Sequence, residues 1–99
     1  MNIGTMTEEN SRAVVLGAGE SGVGAALLYQ SRGIPVFVSD YGRIAEKYKS
    51  ELEDHGIPYE EGAHTPEVIL RAPEVVKSPG IPEKAPIMQA IRERGILVL

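Results

Sequence analysis

Apolar residues fall along this chain in short runs, separated by longer stretches where they recur every three or four positions, as strands alternating with helices would place them. The first run is Val14, Val15 and Leu16, followed by IPVFVS at 34–39, IPYEEG at 57–62, PEVVK at 73–77 and the final ILVL. After the first run, Val23, Ala26, Leu27 and Gln30 share one face of a predicted helix that Gly33 stops. In YGRIAEKYKSELEDHG, residues 41–56, Ile44, Tyr48 and Leu52 form a second buried stripe, and Gly56 closes it. Thr65 and Pro66 read as the cap and first position of a brief helix. Residues 85–94 predict a last helix, with Pro86 near its start, Ile87, Ala90 and Ile91 inward, and Gly95 as its stop. This order predicts βαβ units in an α/β, Rossmann-like fold: one domain with a parallel five-stranded sheet and helices on both faces.

Composition narrows the class. With 99 residues and 42% hydrophobic content, the chain can build one core but not two. Residues 1–11 (MNIGTMTEENS) have neither the basic start nor the apolar centre of a secretory signal, and they read as a mobile polar leader. No run approaches a membrane span. The absence of cysteine excludes disulfides and thiolate metal sites and fits a reducing compartment. A formal net charge of −4 argues against a general nucleic-acid surface, so any phosphate would be held locally.

Local phosphate chemistry is what the first run leads into. VVLGAGESGVG stops an apolar strand at a GxGxxG made by Gly17, Gly19 and Gly22. In such a turn the first two glycines allow a tight bend and close backbone approach, and the third lets the following helix pack on the strand. The helix then aims unpaired N–H groups and its positive dipole end at an anion. The same pattern also occurs in turns that bind nothing. Asp40 lies 18 residues after Gly22, at the end of the second strand, where dinucleotide-binding folds keep the acid that holds ribose hydroxyls. Its alternative role is to cap the next helix. Ser78, Pro79, Gly80 and Ile81 form a turn after the fourth strand, where Gly80 is free to take a positive φ. The rim of the sheet thus has three candidate segments: 17–22, 40–42 and 78–81.

Other polar residues read as ordinary surface. His55 and His64 lack ligand spacing and are expected at the surface or at helix ends. Glu51, Glu53 and Asp54, like Glu60 and Glu61, read as a solvated acidic face. Tyr48 reads as core, whereas Tyr41 either stacks on a base or covers the sheet edge. Ser21 sits in an anion turn and not a nucleophile elbow, and no catalytic or metal-binding set is evident. An NAD(P)-binding domain of an oxidoreductase and a nucleotide-sensing module both fit these residues.

VVLGAGESG, VSD and VVKSPGIP together resemble the N-terminal domain of the Mur ligases, nearest to the branch that adds D-glutamate, over about residues 12–99. The resemblance implies one domain of a three-domain, ATP-dependent ligase of peptidoglycan biosynthesis, in which this domain binds a UDP-sugar in place of NAD. The implied partner is UDP-N-acetylmuramoyl-L-alanine, with ATP and Mg belonging to central and C-terminal domains outside this chain. By position, Gly19, Glu20, Ser21 and Gly22 match the diphosphate turn, Asp40, Tyr41 and Gly42 the uridine side, and Ser78 and Gly80 the loop over the uracil. Glu20 is expected to point outward, since its carboxylate would repel a diphosphate. The chain lacks GxxxxGK[ST], so the fragment is expected to be inactive alone, with no cofactor of its own. A cytoplasmic monomer without nucleic-acid or membrane partners completes the expectation.

Overall fold

A computed structural model describes residues 13–99; the leader expected at 1–11 lies outside the described residues. The elements run β1 (Ala13–Leu16), α1 (Glu20–Ser31), β2 (Val36–Asp40), α2 (Glu46–Asp54), β3 (Tyr59–Glu61), α3 (Pro66–Ile69), β4 (Glu74–Lys77), α4 (Pro86–Glu93) and β5 (Leu97–Val98). All five strands pair in parallel, in the order β3-β2-β1-β4-β5. The chain winds outward from β1 to β3 and then crosses back to β4 on the other side. Strand order therefore reverses between β1 and β4, the place where open α/β sheets form a crevice beyond the strand ends.

The two faces of the sheet are both covered. Ala13, Val15, Val36 and Val38 pack with Val23 and Ala26 of α1, Leu52 of α2, and Ile57. Val14, Leu16, Phe37 and Val75 pack on the opposite face with Ile69 of α3 and Ile87, Met88 and Ile91 of α4. Every residue of β1 is fully buried, which is why its sequence is a continuous apolar run and not an alternating one.

Several boundaries differ from the sequence reading, each for a local reason. The second strand starts at Val36, after Pro35, which has no N–H to give a ladder, and runs on through Asp40. The helix read from residue 41 begins only at Glu46, after Ala45 in an extended conformation. Residues 41–45 are instead held as a loop: Gly42 N–H donates to Asp40 Oδ1, Gly62 N–H to the Gly42 carbonyl, and Ile44 N–H to Glu61 Oε1. Ile44 is buried all the same, beside Leu52. Asp40 does not cap α2, because Ala45 occupies that position. Thr65 and Pro66 do open α3, but the Thr65 hydroxyl donates to Glu60 and makes no cap hydrogen bond.

Candidate functional site

The rim between β1 and β4 is assembled by the glycine turn. Gly17 adopts φ +100°, and a Cβ there would stand 2.6 Å from Ser78 Cβ. A Cβ on Gly22 would stand 1.8 Å from the Gly17 carbonyl oxygen. These two glycines are sterically obligatory. Gly19 is different: a Cβ there meets nothing within 4 Å, and its φ is −86°. It forms the N-cap of α1 without any side-chain cap, so the N–H groups of Glu20, Ser21 and Gly22 lie ahead of the first intrahelical bond, from Val23 N–H to the Gly19 carbonyl. Glu20 and Ser21 are exposed on that first turn.

Hydrogen bonds draw the three rim segments together. Gly17 N–H donates to the Ser39 carbonyl at 2.8 Å, Ala18 N–H to Asp40 Oδ2 at 2.8 Å, and Ser78 N–H to the Leu16 carbonyl at 3.0 Å. Asp40 thus uses one carboxylate oxygen on the glycine turn and the other on Gly42. The 78–81 turn closes through Ile81 N–H to the Ser78 carbonyl. Gly80 does not use the freedom glycine gives it: its φ is not positive, so the turn needs no left-handed residue at that position. A Cβ on Gly80 would meet nothing within 4 Å.

Beside this junction opens a cleft of about 570 Å³, within the ordinary range for small-molecule sites. Its lining is largely apolar, with Ile81, Pro82, Ala85, Pro86, Ile87 and Ala90, and includes Gly80, Tyr41 and His64. The Tyr41 and His64 rings stand 5.8 Å apart, tilted by 41°, with Tyr41 largely exposed. Of the residues singled out in the sequence, Tyr41, Gly80 and Ile81 line the cleft, whereas Gly19 to Gly22 lie at the start of α1, Asp40 ends β2, and Gly42 and Ser78 lie in the adjoining turns.

Three residues set aside in the sequence belong to this region. His64 is not a plain surface histidine: it is half-buried, and its Nδ1 lies 2.7 Å from the hydroxyl of fully buried Ser39. Nor do Glu60 and Glu61 form a solvated face. Glu60 accepts from Ser39 Oγ, Thr65 N–H and Thr65 Oγ1, while Glu61 accepts from Ile44 N–H and Lys49 Nζ. The Lys49 ammonium, helped by the Ile44 N–H, holds the Glu61 carboxyl below its usual range. The overlooked signal was Ser39 itself, a polar residue directly after the apolar run Val36–Val38 of β2, in register with Glu60.

Burial pushes the His64 pKa below its ordinary 6.5, against the opposing pull of Glu60 and Asp40. Below that ordinary value the unfolded chain takes up the proton before the folded one. The stability linked to His64 is therefore complete above pH 6.5 and is lost as pH falls through the depressed folded value. In urea melts at pH 7.5 and 5.5, wild type is expected to lose more stability on acidification than His64→Gln. Equal losses would show that the ring titrates alike in both states.

Fold and rim define the class: a Rossmann-like α/β domain with its glycine turn, strand-end acid and third turn gathered at the switch point. Residues 11–99 match the family model described as Mur ligase MurD-like, N-terminal domain, and the chain belongs to that family. It is 66% identical over 86 residues to a UDP-N-acetylmuramoylalanine–D-glutamate ligase of Porphyromonas gingivalis, covering 85% of this chain and 19% of that protein. Proteins of the same name from Bacteroides fragilis and Cytophaga hutchinsonii are 57% and 53% identical, over 89% and 91% of this chain and 20% of theirs. The chain spans about a fifth of the length of the curated relatives it matches. Among the described residues no helix is long and apolar enough to cross a membrane.

Proposed function

We propose that this chain is the module that grips the uridine diphosphate end of UDP-N-acetylmuramoyl-L-alanine, within a cytoplasmic ligase that uses ATP to join D-glutamate to that substrate in peptidoglycan synthesis. One observation carries the reading: an uncapped helix start and an aromatic-edged cleft meet at a single hydrogen-bonded junction. That pairing suits a ligand with an anionic end and a flat ring. The diphosphate would lie on the N–H groups of Glu20, Ser21 and Gly22, with open space at Gly19 for its approach. The uracil would enter between Tyr41 and the 78–81 turn, close to Ser78 and Gly80.

ATP and Mg find no fit in these residues. The sequence has no GxxxxGK[ST], and among the described residues no group of three His, Asp or Glu side chains could hold a metal ion. In this reading the chemistry belongs to parts of a longer protein, and this module supplies orientation. Binding energy gained on the remote nucleotide holds the reacting carboxylate in place for attack. Asp40 accepts one backbone N–H on each carboxylate oxygen and keeps a lone pair on each, so it serves a ribose of either ligand, and the choice between the uridine and dinucleotide readings rests on the titration.

Titration of the isotope-labelled chain with UDP is expected to shift the amide signals of residues 19–22, 40–42 and 78–81 together. Shifts produced by NAD and not by UDP would overturn the proposal.

A further inference from the structure

Ser39, the last but one residue of β2, is completely buried and sits opposite Glu60 in the pairing with β3. Its Oγ lies 2.8 Å from Glu60 Oε2 and 2.7 Å from His64 Nδ1, with the Ala63 carbonyl oxygen farther away at 3.3 Å. A hydroxyl has one proton to give, and an ionised carboxylate can only accept. The serine proton therefore goes to Glu60, and the short contact with the histidine is an Nδ1–H donating to Ser39 Oγ. Glu60 cannot easily swing away, because Thr65 donates its N–H to Oε2 at 2.9 Å and its hydroxyl to Oε1 at 2.5 Å. The bond made by one ring nitrogen decides the state of the other. With the proton on Nδ1, Nε2 of the neutral ring carries a lone pair. Among the described residues no buried side-chain nitrogen lacks a partner, and Nε2 makes no hydrogen bond there, so it is open to solvent on a ring that, with Tyr41, lines the cleft. Burial opposes the charged form of the ring and so preserves the lone pair.

We propose that His64 is a specificity-determining residue: Thr65, Glu60 and Ser39 fix it as a hydrogen-bond acceptor at the cleft, which selects a pyrimidine whose N3 bears a proton over one whose N3 is an acceptor. Uracil satisfies that requirement. Cytosine would set two lone pairs against each other and leave both unpaired. This inference rests on the uridine reading of the cleft and adds to it the group that tells one base from another. A site built around a specific hydrogen bond discriminates well because the wrong partner leaves a buried polar group unmet.

Two measurements separate the inference from the reading beneath it. Long-range nitrogen-15 NMR on the free 99-residue chain reads the tautomer of His64 without any ligand. An Nδ1–H ring is expected, and an Nε2–H ring would overturn the inference. Amide-shift titrations with UDP and CDP then read selectivity. Wild type is expected to prefer UDP by about tenfold, and His64→Phe, which keeps a ring and loses both nitrogens, to bring the two within about threefold. His64→Gln, able to place an amide oxygen near the position of Nε2, is expected to recover part of the preference, and it keeps the test decisive if the phenylalanine variant misfolds. Equal affinities for UDP and CDP in wild type would overturn base selection and leave uridine binding standing. No shift with UDP at all would overturn both.

Discussion

Gly22→Ala is expected to cost the fold about 3 kcal/mol, a large share of the roughly 5–15 kcal/mol that holds a typical domain together. The added methyl would sit 1.8 Å from the Gly17 carbonyl oxygen, an atom of backbone that cannot rotate away. Relief requires α1 to lift from β1, and that movement opens the face where Val23 and Ala26 pack against Val15 and Val38. Gly19→Ala is the matched control. Its methyl meets nothing and its backbone angle suits any residue, so the loss is expected to stay within about 1 kcal/mol, the ordinary cost of alanine at an N-cap. UDP binding should nevertheless fall, because the methyl would occupy the approach to the helix N–H groups. Urea denaturation followed by circular dichroism separates the two variants. Equal midpoints would show that α1 is not seated by Gly22.

Asp40→Ala is expected to destabilise the chain by about 2 kcal/mol and to loosen the glycine turn before it unfolds the sheet. The carboxylate accepts from Ala18, whose residue is only 2% exposed, and from Gly42. Without it the Ala18 N–H is left buried and unpaired, the costly half of a broken hydrogen bond. Asp40→Asn keeps one acceptor oxygen and is expected to fall between wild type and alanine. Hydrogen exchange at Ala18 and Gly42 reads the effect directly: faster exchange at both, ahead of β1, is the expected pattern. If exchange at Ala18 is unchanged, the side chain is not what holds the turn. Any loss of UDP affinity in these variants has to be compared with this local loosening, since Asp40 shapes the turn that would hold the diphosphate.

The fold was legible wherever burial acts on both faces of a strand. Val14, Val15 and Leu16 form an unbroken apolar run because β1 is central, and the spacing of Ile87 and Ile91 reports the single buried face of α4. Gly17 and Gly22 were legible for a similar reason, since each is required by close contact with backbone or a fixed side chain. What escaped depended on partners distant in sequence. Tyr41 and Gly42 look helical beside Ile44, but Asp40, Glu61 and Gly62 hold the segment as a loop, and only the pairing of β2 with β3 brings those groups near. His64 looks isolated until the same pairing places Ser39 and Glu60 beside it. The freedom that glycine gives the 78–81 turn goes unused, because that turn closes without a left-handed residue at Gly80.

The contact of Gly17 with Ser78 joins positions 61 residues apart, and it depends on β4 lying against β1 after the chain has already built β2 and β3 on the other side. Contacts between distant positions form late, because closing a long loop costs entropy before it returns any attraction. The rim is therefore expected to form late in folding, leaving a half-formed chain little there for a nucleotide to hold. A ligand bound at the rim would act mainly on the rate of unfolding and leave the rate of folding nearly untouched.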